Sequence, residues 1–291
     1  MQTAPDLPDA RTGAFSCRWP ARLRWRRDGR SARADRQLRT SDPAGRAPSC
    51  KPGPLSSRQW MMALLVSITV TLLAIASEYS GLDLYLAGLV FDPVTGSWPY
   101  RSLFLTSTVL HTWGRALVVL LAVADLVMLI ASCCVVMLAP FRRVLLYVLI
   151  AGITGPAIVS LLKSTTHIYT PWSLLQFGGD MPYIRIFDSV PPGSPPGHAF
   201  PGGHASGGFA WFGVYFVLLA AGSRYRGLGL LFPLLLGGLF AATQEIRGAH
   251  FLSHDLFALA ICWTAALGWA LVFFGRQRGD QIRDKSLPGL L

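Results

Sequence analysis

The chain has 291 residues, 52% of them hydrophobic and only 14% charged, with a mean hydropathy of +0.43. A soluble domain carries about 25% charged residues, so this composition excludes an ordinary soluble globule and points to an integral membrane protein. The formal net charge is +11, but residues 1–58 hold thirteen Lys/Arg against five Asp, or +8 of that total; the rest is only slightly basic and gives no ground for nucleic-acid binding.

Residues 1–58 are rich in Arg, Pro, Ser, Asp and Gly and show no apolar periodicity. We read them as a disordered basic tail. They do not have the form of a signal peptide, because no apolar segment follows the charges before residue 60. Six apolar segments come next, at about 60–77, 115–138, 143–162, 206–222, 228–245 and 255–274. Several reach the roughly 20 residues that cross a bilayer as a helix. The fifth contains Pro233 and Gly237-Gly238, which membrane helices tolerate when neighbours satisfy the backbone. Asp125, alone within the second segment, predicts an interhelical hydrogen bond. Of the five cysteines, Cys133, Cys134 and Cys262 fall in apolar runs and read as buried, inert thiols; no spacing suggests a metal site or disulfide framework.

Charge sets the orientation. The basic tail, "PFRR" (140–143), "SRYR" (223–226) and "GRQR" (275–278) all fall on one side if the six segments span. By the positive-inside rule that side, with both termini, is cytoplasmic. The opposite side receives 78–114, 163–205 and 246–254. The first of these contains "LDLYLAGLVF", too short to span and read as an interfacial helix, with Trp98, Tyr100 and Trp113 as headgroup anchors. The predicted fold is all-α: a six-transmembrane-helix bundle over residues 59–275 with an outer-loop cap, and a short cytoplasmic tail at 276–291.

The titratable residues collect on the outer side. Lys163 ends the third span, His204 opens the fourth in "FPGGHASGGFAW", and Arg247, His250, His254 and Asp255 stand between the fifth and sixth. Ionisable groups at membrane depth are costly and point to function. Lys⁺ and Arg⁺ beside the imidazoles oppose a metal dication but suit a phosphate, which the amides of the Gly202-Gly203 turn can also meet at a helix start. One histidine can attack phosphorus while another protonates the leaving oxygen.

These residues resemble the type-2 phosphatidic-acid phosphatases, membrane lipid phosphatases related to vanadium haloperoxidases. The family's Lys, six residues, Arg-Pro corresponds to Lys163 through Thr170-Pro171, and its Pro-Ser-Gly-His to Pro201-Gly202-Gly203-His204. Its Ser-Arg, five residues, His, three residues, Asp aligns on His250, with Thr243-Gln244 at the Ser-Arg pair and His254 at the Asp position. The resemblance implies that His250 is the nucleophile forming a phosphohistidine, His204 the general acid and Lys163 a phosphate ligand. Both family arginines are absent, at Thr170 and Gln244; Arg247 and Arg185 are the candidate replacements. Asp255 rather than His254 is the candidate partner of His250, since a carboxylate better stabilises an imidazolium. Gly202 and Gly203 would offer backbone donors.

The expected activity is metal-independent hydrolysis of a lipid phosphate monoester or pyrophosphate, with no cofactor. In a bacterium the site would face the periplasm from the inner membrane. A lipid phosphotransferase using the same intermediate and a non-catalytic lipid-phosphate binder also fit the sequence.

Overall fold

The computed structural model describes residues 52–275, so the readings made for most of the basic tail and for 276–291 lie outside the described residues. Those residues are helical, with no strand among them. Six helical segments are long and apolar enough to cross a membrane. The first is α1 (Ser57–Tyr79), opened by a capping box in which Ser56 and Gln59 satisfy each other's backbone donors. The short α2 (Leu82–Val90) follows. The second crossing joins a π-helical stretch, Phe104–Trp113, to α3 (Gly114–Cys134). The third joins a 3₁₀ turn, Val136–Phe141, to α4 (Arg142–Thr165). The fourth is split between α5 (Gly203–Phe209) and α6 (Phe212–Ala220). The last two are α7 (Arg226–Ile246), continuous through Pro233, and α8 (Leu252–Phe274).

The α8 helix lies at the centre, packed against α1, α4, α5 and α6. Its Trp263, Ala266 and Ala270 join Tyr147, Phe209, Phe212 and Phe216 in the main buried cluster. Close helix approach needs small residues where side chains would hold backbones apart. In "ASGGFAW" a Cβ on Gly208 would run into the backbone of Gly237, which brings α5 against α7.

Two contacts gather one end of the bundle: Gly53 N–H donates to the Ala220 carbonyl at 3.0 Å, and Arg143 donates to the Phe273 carbonyl at the end of α8. At the other end, Asp83 of α2 accepts from Ser77 Oγ (2.7 Å) and from the Ser253 backbone (3.1 Å), pinning α2 to α1 and α8. Burial holds the Asp83 carboxyl above the usual carboxylate range. The loop 166–202 folds over this end as a cap, tied by Trp172 N–H to the Gly248 carbonyl (3.0 Å) and by Gly202 N–H to the His254 carbonyl (2.9 Å).

Three sequence readings need correction. Trp98 is not a headgroup anchor: it is buried against Phe91 and Phe177, with ring centroids 5.4 Å from each. Asp125 Oδ2 has no hydrogen-bond partner among the described residues and its side chain borders an apolar cavity instead. Cys133 and Cys134 face outward; only Cys262 is a buried thiol among these three.

Candidate active site

Lys163 lies in the last turn of α4, His204 in the first turn of α5, and His250 in the connection between α7 and α8. Folding brings all three to one cavity of about 330 Å³, which Gly203 and Gln244 also line. Two further residues reach it from the second crossing: His111 from the π-helical stretch and Arg115 from the first turn of α3. The lining contains Lys163, Arg115 and three histidines but no carboxylate, which is a setting for an anion.

His250 is buried, and burial together with the Lys163 ammonium holds its imidazole well below its ordinary pKa of 6.5. The ring is therefore neutral at physiological pH, the form a nucleophile requires. Its Nδ1 has no hydrogen-bond partner among the described residues. His204 is fixed differently, through Nε2 against the Leu110 carbonyl at 3.0 Å. A carbonyl can only accept, so Nε2 carries the proton and Nδ1 is left as the nitrogen that can exchange one. The His111 ring stacks on His204 with centroids 4.7 Å apart and planes inclined by 21°.

The segment Arg247–Asp255 distributes its side chains to several surroundings. Gly248 has φ 73°, in the left-handed region, and a Cβ there would meet the Trp98 ring. That turn ends α7 and sends His250 back toward the cavity. Arg247 donates from Nε to the Arg101 carbonyl (3.1 Å) and from Nη1 to Gln244 Oε1 (3.2 Å). The second bond sets the Gln244 amide, whose buried Nε2 has no partner among the described residues. An amide donor thus stands at the cavity wall where the family pattern has a guanidinium.

Asp255 makes no hydrogen bond to His250. Both its oxygens are buried and, among the described residues, have no hydrogen-bond partner; Lys163 is near enough to act on it. It also faces Gly202 so closely that a Cβ on that glycine would collide with Oδ1. The absence of a serine side chain at Gly202 has its reason here. His254 is fully enclosed, its ring set edge-to-face against Phe200, Phe251 and His250. Arg185 is held outside the cavity, paired with Asp188 at 3.0 Å and stacked 4.4 Å over Tyr79; its pKa is raised first by that Asp188 hydrogen bond. Thr170 pairs its hydroxyl with Ser173 (2.7 Å).

Below the polar cavity lies a second one of about 380 Å³, almost wholly apolar, between α3, α4 and the fourth crossing. Val118, Val119, Pro156 and Gly207 line both. On α3, Arg115, Val118, Val119, Ala122 and Asp125 recur at helical spacing, so one face of that helix runs from the polar cavity down the apolar one.

Residues 142–278 match the family model of the PAP2 superfamily. Over this segment the chain is similar to the PAP2 superfamily. No curated protein and no solved structure matches the chain. The similarity supports a phosphatase-type activity and gives a chemical context to the cavity, most of whose lining lies within the segment. His111 and Arg115 precede that segment, and our sequence reading passed over them. One signal was available: "HTWGR" sets a histidine and an arginine four residues apart at the head of an apolar run, a spacing that puts both on one helix face.

Proposed function

We propose that the protein is a membrane phosphatase that removes phosphate from a lipid through a phosphohistidine on His250. The observation that carries this reading is the adjacency of the two cavities: a cationic pocket holding Lys163, His204 and His250 shares Val118, Val119, Pro156 and Gly207 with an apolar one. A lipid phosphate has the same sequence of parts, an anion followed by hydrocarbon.

In this scheme Lys163, the Gln244 amide and the backbone at Gly203 hold the phosphate oxygens. Neutral His250 attacks phosphorus, and the proton of a monoanionic phosphate ester passes through His204 Nδ1 to the departing oxygen. A water then attacks the phosphohistidine, passing its proton to His204 and releasing inorganic phosphate and free His250. Asp255 acts through Lys163 by balancing its charge rather than by orienting His250. Phosphoryl transfer depends on positioning and charge stabilisation, and here cationic side chains supply the charge without a metal. The site faces away from the basic loops, toward the periplasm in a bacterial inner membrane.

Phosphate release by the purified protein in mixed micelles tests the proposal. The panel is phosphatidic acid, phosphatidylglycerol phosphate, a polyprenyl diphosphate and a phosphorylated glucosamine lipid, with EDTA present and a soluble phosphate ester alongside. Release from at least one lipid, well above that from the soluble ester, is expected. His250→Ala lowers turnover by about 10⁴-fold or more and abolishes the acid-labile phosphoenzyme. Loss of activity in EDTA with recovery in Mg²⁺, or a His250→Ala enzyme that still turns over, refutes the mechanism.

A further inference from the structure

His204 is constrained from one place in particular, the junction between the π-helical stretch and α3. In an α-helix the Gly114 N–H would donate to the carbonyl four residues back, at Leu110. Here it donates to the carbonyls of His111 and Val109, and passes over Leu110. The wide turns of Phe104–Trp113 bring Val109 into its reach. Thr112 spans the same five-residue interval with its side chain, its hydroxyl donating to the Ser107 carbonyl at 3.1 Å. A carbonyl passed over in this way needs a donor from elsewhere, and Leu110 receives His204 Nε2 at 3.0 Å.

The next residue, His111, lays its ring on His204, with centroids 4.7 Å apart and planes inclined by 21°. The N–H bonds and lone pairs of an imidazole lie in the ring plane, so two stacked rings do not pass a proton to each other. His111 therefore meets His204 as a flat surface. Phe240 of α7 packs on His204 as well, with centroids 4.6 Å apart and planes inclined by 45°. Gly114 permits this, because a Cβ there would come within 2.6 Å of the Phe240 ring. Turning the His204 ring would break one hydrogen bond and disturb two aromatic contacts.

We infer, resting on the phosphatase reading above, that Leu110 and His111 are positioning residues for proton transfer by His204, made available by the π-helical register. The Leu110 carbonyl keeps a proton on Nε2, so the lone pair is on Nδ1. Nδ1 takes the proton of the phosphate ester and passes it to the leaving oxygen as that oxygen departs with the P–O electron pair; the Nε2 proton does not move. His111 holds the ring in the orientation this requires. Wound as an α-helix, the same segment would return the Leu110 carbonyl to the Gly114 N–H. Both residues precede the segment that is similar to the PAP2 superfamily, so that similarity does not supply them.

Two esters separate orientation of the proton from general support of the fold. Dodecyl phosphate leaves as an alkoxide and needs the proton; 4-nitrophenyl phosphate leaves as a stable phenolate and does not. Relative to wild type, His111→Ala should lower kcat on dodecyl phosphate about tenfold or more beyond its effect on 4-nitrophenyl phosphate, a part of the roughly 10²–10⁴-fold that positioned proton transfer supplies. His111→Phe, which keeps a flat ring without nitrogen, should recover most of that gap. A Phe variant as impaired as the Ala variant shows that His111 works through its nitrogens. An Ala variant that loses both esters in proportion shows that it only supports the fold. Either result overturns the inference and leaves the phosphatase reading standing. Nitrogen-15 NMR of histidine-labelled protein in detergent checks the carbonyl without turnover. The His204 signal, assigned by its loss in His204→Gln, should be that of the Nε2–H tautomer, and deletion of Thr108, which shortens the wide turn, should remove that preference. An Nδ1–H tautomer in the wild type, or a folded deletion variant that keeps the preference, also overturns the inference. A wild-type enzyme that releases phosphate from neither ester nor any lipid of the panel overturns the phosphatase reading and this one with it.

Discussion

A Cβ on Gly202 would fall 1.9 Å from Asp255 Oδ1, so the carboxylate has to shift to admit any side chain there. The missing side chain leaves room for the Asp255 carboxylate, which in turn lies within range of Lys163. Gly202→Ser, although it restores the family's usual residue, should lower stability by about 1–3 kcal/mol, the range for overpacking a filled interior, and lower activity with it. Thermal unfolding in detergent alongside phosphate release checks this; a variant as stable and more active than wild type contradicts the packing argument. His250 gives a pH prediction of definite sign. Its folded pKa is depressed by burial and by Lys163, so above about 6.5, the ordinary histidine value, folded and unfolded chains both keep it neutral and its contribution to stability is intact. As pH falls below that value the unfolded chain takes up a proton the folded one refuses, and stability declines toward the depressed folded pKa. The acid limb of kcat/KM assigned to His250 should therefore lie below pH 6.5. Lys163→Met, besides slowing the reaction, should move it upward by removing a repelling charge. A limb at or above pH 6.5 in the wild type is the result that counts against a neutral buried nucleophile.

Among the elements, the α7–α8 turn and the π-helical head of the second crossing decide the site. Gly248 holds a left-handed conformation against the Trp98 ring. Gly248→Ala should cost about 1–2 kcal/mol for the backbone alone and more for the displaced indole. Because His250 is only two residues on, turnover should fall further than global stability predicts; an unchanged kcat with a lowered melting temperature would show that the turn only stabilises. The π-helical stretch was not legible in the sequence. Hydropathy begins the second crossing at 115, whereas the helical segment begins at Phe104. Thr106, Ser107 and Thr112 dilute the apolar signal, but their hydroxyls bond back to the carbonyls of Tyr100, Leu103 and Ser107. Polar side chains satisfied by carbonyls in or just before their own helix leave little cost in placing it there, so a segment that reads as loop is helical. It is this extension that carries His111 to His204.

For the molecule as a whole, Gly53 tied to Ala220 and Arg143 tied to Phe273 set the basic connections at one end. Lys163 stands at the opposite end of α4 from Arg142. At 1.5 Å per residue the helix separates the two by about 32 Å, close to the hydrocarbon thickness of a bilayer. A cysteine placed at Ser194 in the cap should be labelled by an impermeant thiol reagent from the outer face of the membrane, and one at Arg142 should be protected until the membrane is opened. The reverse pattern would turn the protein over and put the site in the cytoplasm.

What the sequence determined by itself is whatever is written locally or periodically. Helix number follows from apolar run length, because an unsatisfied backbone cannot sit in hydrocarbon, and the six crossings were readable on that ground. The three segments bearing Lys163, His204 and His250 were readable too, since ionisable residues beside apolar runs are conspicuous and their spacing matches a family pattern. Tertiary structure decided which side chains actually share the cavity. It put Arg185 on Asp188 and Tyr79, turned Trp98 inward under Gly248, set Asp255 against Gly202 instead of His250, and brought in His111 and Arg115 from a different crossing. Apart from Arg185–Asp188, three residues apart, none of these pairings is local in the chain. Those between helices depend on the rotation of one packed helix about its axis, which is fixed by the interlocking of side chains across the bundle rather than by the pattern along any single helix.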